Sequence, residues 1–168
     1  MTSIAARVEA YYGALGAGPR PGVTPGELAA FEEAHGLTLP RVVSEFYLAF
    51  DGLEGEVPEC GFHTLQLWRL AELSRVSERV QEFRGAPNYG PIVRTLPEAS
   101  EYVAFGDGAI WSHVLAFRLS PDAGPVLWIC GDSYAEVAPG FEEFWERYLD
   151  NPNPVLWPAA DQVISPPR

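Results

Sequence analysis

The hydrophobic periodicity of this chain changes near residue 101, and this change is the strongest constraint on its fold. Before it, apolar residues recur at the three- and four-residue spacing that is typical of amphipathic helices. After it come four segments with strand-like alternation, "EYVAFG", "IWSHVLAFRL", "PVLWIC" and "YAEVA", separated by turns rich in Gly and Asp. Helices followed by such a meander indicate an α+β domain.

The first half of the sequence predicts a series of helices. The first covers residues 3–15, and "GAGPRPG" ends it. The second begins at Thr24, which forms a capping box with Glu27, and it ends at a left-handed glycine. The third begins at Pro40 and ends at Gly52.

Further elements follow along the chain. Residues 62–68 predict a strand, and the spacing from Leu70 onward predicts a fourth helix that stops near Gly85. A closing helix begins near Pro139, and we expect Trp157 to hold part of the proline-rich tail that follows it.

The sequence therefore predicts a single domain over residues 1–168, with a core over about 20–150 and a tail over 151–168. We expect an antiparallel or mixed sheet of about four to six strands, flanked by N-terminal helices and a C-terminal helix. A domain of this length buries roughly 70% of its unfolded surface, so it needs no disulfide or metal to fold.

The charge of the chain limits its partners. Acidic residues number 23 against 11 basic residues, all of them arginines, and the net charge is −12. Such a chain repels nucleic acid phosphates and anionic lipids, so we predict no direct binding to nucleic acid or to a membrane. A basic protein partner is attracted instead. No apolar run is long enough to cross a bilayer and no signal peptide is evident, so a cytoplasmic location is expected.

Common catalytic signatures are absent from the sequence: it has no phosphate-binding GxxxxGK[ST] loop, no HExxH and no complete nucleophile elbow. The acidic stretch at residues 51–59 lacks the ligand spacing of a calcium loop. We therefore predict no catalytic residue, no metal and no cofactor. A less favoured alternative is a small hydrolase with an acidic site or a nucleophilic triad of Cys130, His113 and Asp132, whose side chains would have to lie within hydrogen-bond reach.

Three segments carry a resemblance to a known family. They are "GVTPGELAAFEEAHGLTLPRVVSEFYLAFDGLEG", "YVAFGDGAIWSHVLAFRLS" and "VAPGFEEFWERYL". In order and spacing they resemble the SUKH superfamily, the Smi/Knr-type domain, over about residues 20–150. The matching positions are Phe31, Glu32, Gly36, Leu39, Pro40, Phe46, Phe50, Gly52, Phe141, Glu143 and Phe144.

The resemblance implies an α+β domain without catalytic residues. Bacterial members of the superfamily are immunity proteins that bind and neutralise a cognate toxin domain, often a nuclease, whereas fungal members act in cell-wall synthesis and signalling. We therefore expect a non-catalytic immunity protein whose partner is a toxin with a basic surface. A regulatory scaffold unrelated to toxins is the alternative.

Acidic residues in predicted loops and turns are the candidate contacts with that partner, because turns on a rigid scaffold commonly carry binding residues. The candidates are Asp51, Glu54, Glu56, Glu59, Asp107 and Asp132. For each of them the alternative interpretation is an ordinary solvated turn residue.

Overall fold

The computed structural model describes residues 2–55, 57, 64–80, 87–108 and 111–166 of the chain. Its helices are α1 (Ile4–Ala14), α2 (Pro25–His35), α3 (Arg41–Ala49), α4 (Ile92–Thr95), α5 (Phe141–Asp150) and α6 (Asn153–Leu156). Its strands are β1 (Gly18–Pro21), β2 (Phe50–Glu54), β3 (Leu65–Leu67), β4 (Ser74–Arg75), β5 (Tyr102–Gly108), β6 (His113–Arg118), β7 (Val126–Cys130) and β8 (Ser133–Ala138).

The strands of the second half form one antiparallel sheet. β3, β5, β6, β7 and β8 are neighbours in that order, and β4 also pairs with β5. A separate two-stranded antiparallel sheet joins β1 to β2. The predicted α+β class is therefore confirmed, and the meander from β5 to β8 follows the four alternating segments of the sequence.

Helix α2 begins and ends where the sequence predicts. The Thr24 hydroxyl accepts the Glu27 N–H at 3.2 Å, and the Glu27 carboxylate accepts the Thr24 N–H at 2.7 Å. At the other end Gly36 has a φ of 56°, and the Leu37 N–H donates to the Glu32 carbonyl at 3.1 Å. Both ends are set by residues within a few positions of each other, which is why the sequence alone predicts them.

Aromatic side chains join α3 and α5 to the main sheet. Phe46 of α3 stacks on Trp145 of α5, with ring centroids 5.6 Å apart and planes 8° from parallel. Phe105 of β5 meets Phe141 edge-on at 5.4 Å and Trp145 at 6.1 Å. All four rings are buried. A central part of the core therefore lies between these two helices and one face of the sheet.

The prediction of a fourth helix from Leu70 to near Gly85 is wrong in its described part. A 3-10 turn (Leu70–Glu72) leads into β4, and a π-helical turn (Val76–Val80) follows. Pairing of β4 with β5 supplies sheet hydrogen bonds where the helix was expected. The apolar residues that suggested the helix are buried all the same: Leu70, Leu73, Val76 and Val80. The spacing thus predicted which residues are buried, but it did not predict the backbone conformation of this segment.

The end of α3 also differs from the prediction. The helix ends at Ala49 rather than at Gly52, and Phe50 begins β2. Gly52 has a φ of 69°, and a Cβ at this position would lie 2.7 Å from the Trp68 carbonyl oxygen. The glycine therefore permits a left-handed strand residue and a close approach of two backbones, rather than a helix cap.

The proline-rich tail lies against the outer strand of the main sheet. α6 packs on β8, and the backbones of Tyr134 and Ile164 exchange two hydrogen bonds of 3.0 and 2.8 Å. Trp157, which the sequence predicts as an anchor, remains 38% exposed, although its ring contacts His113 at 4.9 Å. The tail is therefore held by backbone pairing and by α6 as well as by this tryptophan.

Replacing Phe50 by Asp should strongly destabilise the fold. The Phe50 ring is fully buried and lies 5.7 Å from the Phe46 ring. Removing a buried Phe side chain costs about 3–5 kcal/mol, and burying a carboxylate adds to that cost. The free energy of unfolding in urea measures the effect. The exposed Leu48→Asp change in the preceding helix should cost about 1 kcal/mol or less. Equal losses in both variants would contradict this account of the core.

Candidate partner-binding surface

Asp51 belongs to β2 rather than to a loop, and its carboxylate serves the fold. Its Oδ1 accepts the Leu70 N–H at 2.7 Å, and its Oδ2 lies 3.9 Å from Arg20 Nε. Burial raises the pKa of Asp51, while the Leu70 N–H and the positive charge of Arg20 act in the opposite direction. This carboxylate ties β2 to the turn at Leu70.

The other candidates of the acidic stretch are Glu54, Glu56 and Glu59. Glu54 is exposed at the end of β2, opposite Gly18 of β1. Glu56 and Glu59 lie outside the described residues. Of the predicted acidic loop, Glu54 is thus the described carboxylate that faces solvent.

Asp107 is buried in β5, so its predicted position in a turn is wrong. The Asp107 carboxylate accepts the Trp68 indole N–H at 2.7 Å and the Trp111 backbone N–H at 2.9 Å. The two indole rings lie 5.0 Å apart. One carboxylate therefore fixes the segment after β3 and the connection between β5 and β6. This arrangement gives Asp107 a structural role, whatever else it does.

Asp132 lies where the sequence predicts, in the turn between β7 and β8. It is half-buried, and its Oδ1 accepts a hydrogen bond from the Ser133 hydroxyl at 3.2 Å. The six candidates thus divide into two carboxylates used by the fold, two in surface positions and two outside the described residues.

One acidic surface that the structure describes was not among the predicted sites. Helix α5 turns its aromatic residues inward and its acidic residues outward, and two further exposed carboxylates line shallow clefts at its ends. We name this surface the acidic α5 face. Its members are Asp122, Glu136, Glu142, Glu143, Glu146 and Asp150.

The acidic α5 face carries more negative charge than its neighbours neutralise. Arg147 pairs with Glu143 and also donates to the Val137 carbonyl, and Arg7 of α1 pairs with Glu146. Within the described ranges, four carboxylates of this face have no ion pair: Asp122, Glu136, Glu142 and Asp150. The sequence does hold a signal for this face, because acids at i, i+1, i+4 and i+8 alternate with the aromatic residues of the closing helix.

The Cys/His alternative finds no support in the geometry. His113 Nδ1 lies 3.2 Å from the Ser112 hydroxyl, and among the described residues its buried Nε2 has no hydrogen-bond partner. Burial raises the pKa of the Cys130 thiol, and the charge of Asp132 acts in the same direction. A thiol in this state is a poor nucleophile at neutral pH. The alternative triad is therefore not assembled in the described part of the chain.

No group of three or more His, Cys, Asp or Glu side chains in the described ranges is placed to hold a metal ion. None of the helices described combines the length and the apolar character needed to cross a bilayer.

Comparison with known proteins identifies one family. The sequence model of the SMI1 / KNR4 family (SUKH-1) matches residues 22–147, which is most of the chain. No curated protein sequence matches the chain. The matched region runs from the residues just before α2 into α5, and thus includes the whole main sheet.

Replacing Asp107 by Ala should destabilise the protein without any partner present. The change removes the hydrogen bonds that the buried Trp68 indole N–H and the part-buried Trp111 N–H donate to this carboxylate. Loss of the acceptor of a buried donor costs about 1–3 kcal/mol. Urea denaturation measures the loss. Asp132→Ala is the matched control, since its half-buried carboxylate accepts from a neighbouring hydroxyl, and it should change stability much less. Equal stability of both variants would show that Asp107 is not structural.

His113 should make the fold sensitive to acid. Burial lowers the pKa of His113 from 6.5 to about 4, so the unfolded chain binds this proton between those pH values and the folded chain does not. The full free energy of unfolding is therefore present above pH 6.5. It falls by about 3 kcal/mol in all as the pH decreases toward 4, because His113 is protonated in the unfolded chain first.

Urea denaturation across this pH range should show a shallower loss of stability in His113→Phe, which keeps an aromatic ring beside Trp128 and Trp157. The exposed His35→Asn is the control, and its pH profile should follow the wild type. Parallel pH profiles of stability for wild type and His113→Phe would contradict the assignment of the acid sensitivity to His113.

Proposed function

The chain belongs to the SMI1 / KNR4 family (SUKH-1), and on this premise we propose that it is a non-catalytic binding protein that neutralises a cognate bacterial toxin domain. The partner in this proposal is a protein with a basic surface, such as a nuclease. Nuclease domains expose basic grooves that bind phosphate, and an acidic protein can occupy such a groove in place of the nucleic acid.

The acidic α5 face is the observation that carries the proposal. It combines four carboxylates without an ion pair in the described ranges with a helix whose other side is fully buried in the core. A surface on a fixed helix loses little conformational entropy when a partner binds. Its charge would also raise the rate of encounter with a basic partner, and this effect weakens as salt screens the charges.

Two features of the structure fit a binding role better than an enzymatic one. The carboxylates most buried in the fold already accept hydrogen bonds that hold segments together. His113 is neutral at physiological pH and enclosed between Trp128 and Trp157. Other carboxylates, among them those of the acidic α5 face, are exposed at the surface, where they suit contact with a second protein.

Co-expression with the toxin domain encoded beside its gene tests the proposal. We expect the two proteins to co-purify and the cells to survive toxin expression. Survival without a complex, or a complex without survival, would overturn neutralisation by binding. The second of these outcomes would favour the regulatory scaffold instead.

Single charge reversals then locate the surface within that complex. Glu142→Lys and Asp150→Lys should each slow association several-fold at low salt, with a smaller difference at high salt. Glu33→Lys, on the exposed side of α2, changes the net charge by the same amount and is the matched control. Glu54→Lys tests the surface predicted from the sequence. If the α5 variants associate as fast as the control, the acidic α5 face is not the contact surface.

A further inference from the structure

A groove whose lining includes no member of the acidic α5 face has the features of a small-molecule site. It lies between α2, the β1–β2 sheet and the turn at Leu70–Glu72, and its volume is about 460 Å³. Small-molecule sites commonly occupy about 300–1,000 Å³ and combine an apolar lining with a few polar groups. Here Val23, Phe31 and Leu70 supply apolar surface, and charged side chains line the remainder.

The central feature of the groove is an ion pair that is only partly formed. Arg20 Nε and Asp51 Oδ2 lie 3.9 Å apart, which is too far for a hydrogen bond. In the described part of the chain, the buried Arg20 Nε has no hydrogen-bond partner at all. The Arg20 side chain is 36% exposed and that of Asp51 is 13% exposed, so the guanidinium lies nearer the mouth and the carboxylate nearer the floor.

The other charged groups that face this pair have partners of their own. Glu27 accepts the Thr24 N–H and hydroxyl at 2.7 and 2.8 Å. Arg69 Nε lies 3.4 Å from a Glu72 carboxylate oxygen, which also accepts the Arg69 backbone N–H at 2.9 Å. The exposed His35 also lines the groove, with its ring 4.4 Å from that of Phe31. Arg20 and Asp51 are thus the two opposite charges of the groove with the poorest pairing.

We infer that this groove binds a free α-amino acid with an apolar side chain. The ligand carboxylate meets the exposed end of the Arg20 guanidinium, the ligand ammonium meets Asp51, and the side chain lies on Phe31 and Leu70. A zwitterion satisfies both protein charges at once. A simple acid or a simple amine leaves one of them unmatched next to apolar surface, at a cost in free energy. The inference is independent of the proposed neutralisation of a toxin.

Nuclear magnetic resonance titration of the full chain with L-leucine and with L-phenylalanine tests the inference. We expect saturable shifts at the Asp51 and Leu70 amides with at least one of the two, and a Kd of about 1 mM or tighter. For the amino acid that binds, the amide analogue, which lacks the carboxylate, and the N-acetyl analogue, which lacks the ammonium, should each bind at least about tenfold more weakly. Glycine, which lacks the apolar side chain, should also bind more weakly.

A variant tests the role of the Arg20 charge. Arg20→Gln should weaken binding of the amino acid and remove its advantage over the amide analogue. Arg41→Gln removes a highly exposed arginine of α3 that pairs with Glu45, away from the groove, and should leave binding unchanged. The inference is overturned if neither amino acid gives saturable shifts at about 10 mM, or if either analogue binds the wild-type chain as tightly as the amino acid. If Arg20→Gln is unstable, the comparison of the amino acid with its two analogues on the wild-type chain still tests the inference.

Discussion

The stacking of Phe46 on Trp145 is the contact on which the arrangement of helices and sheet depends. The two rings lie nearly parallel, and Phe105 of β5 meets Trp145 from the side. The three residues come from segments far apart in sequence, so the contact forms only as the chain reaches its folded topology. Once formed, it places α3 and α5 on the same face of the main sheet, and large buried aromatic rings contribute strongly to stability.

Helix α5 connects this core to the surface that we assign to partner binding. Its buried side presents Phe141, Phe144 and Trp145 to the sheet and to α3, and its exposed side presents carboxylates. The same residues that stabilise the fold therefore fix the position of the charges. A binding surface of this kind needs no flexible loop, because the helix is already ordered before a partner arrives.

Carboxylates were the least predictable groups of the candidate site. Asp51 and Asp107 both precede a glycine, and Asp107 also follows one, a pattern that resembles a solvated turn. In the fold each accepts a hydrogen bond from a residue at least 19 positions away, Leu70 for Asp51 and Trp68 for Asp107. The sequence does not reveal such donors, because they approach only after the strands have paired. The acids of α5, in contrast, are separated from its aromatic residues by helical spacing, and that pattern is visible in the sequence.

The sequence by itself determined the features that depend on neighbouring residues: the capped ends of α2, the amphipathic α3 and α5, the turns on either side of β7 and the α+β order. Each rests on hydrogen bonds or spacing within a few residues. Tertiary structure alone decided that Ser74 and Arg75 form a strand, because their hydrogen-bond partners belong to β5. It also decided the burial of Asp107 and the meeting of Arg20 with Asp51 across β1 and β2. These features require pairing between distant segments, and local propensity does not determine which segments will pair.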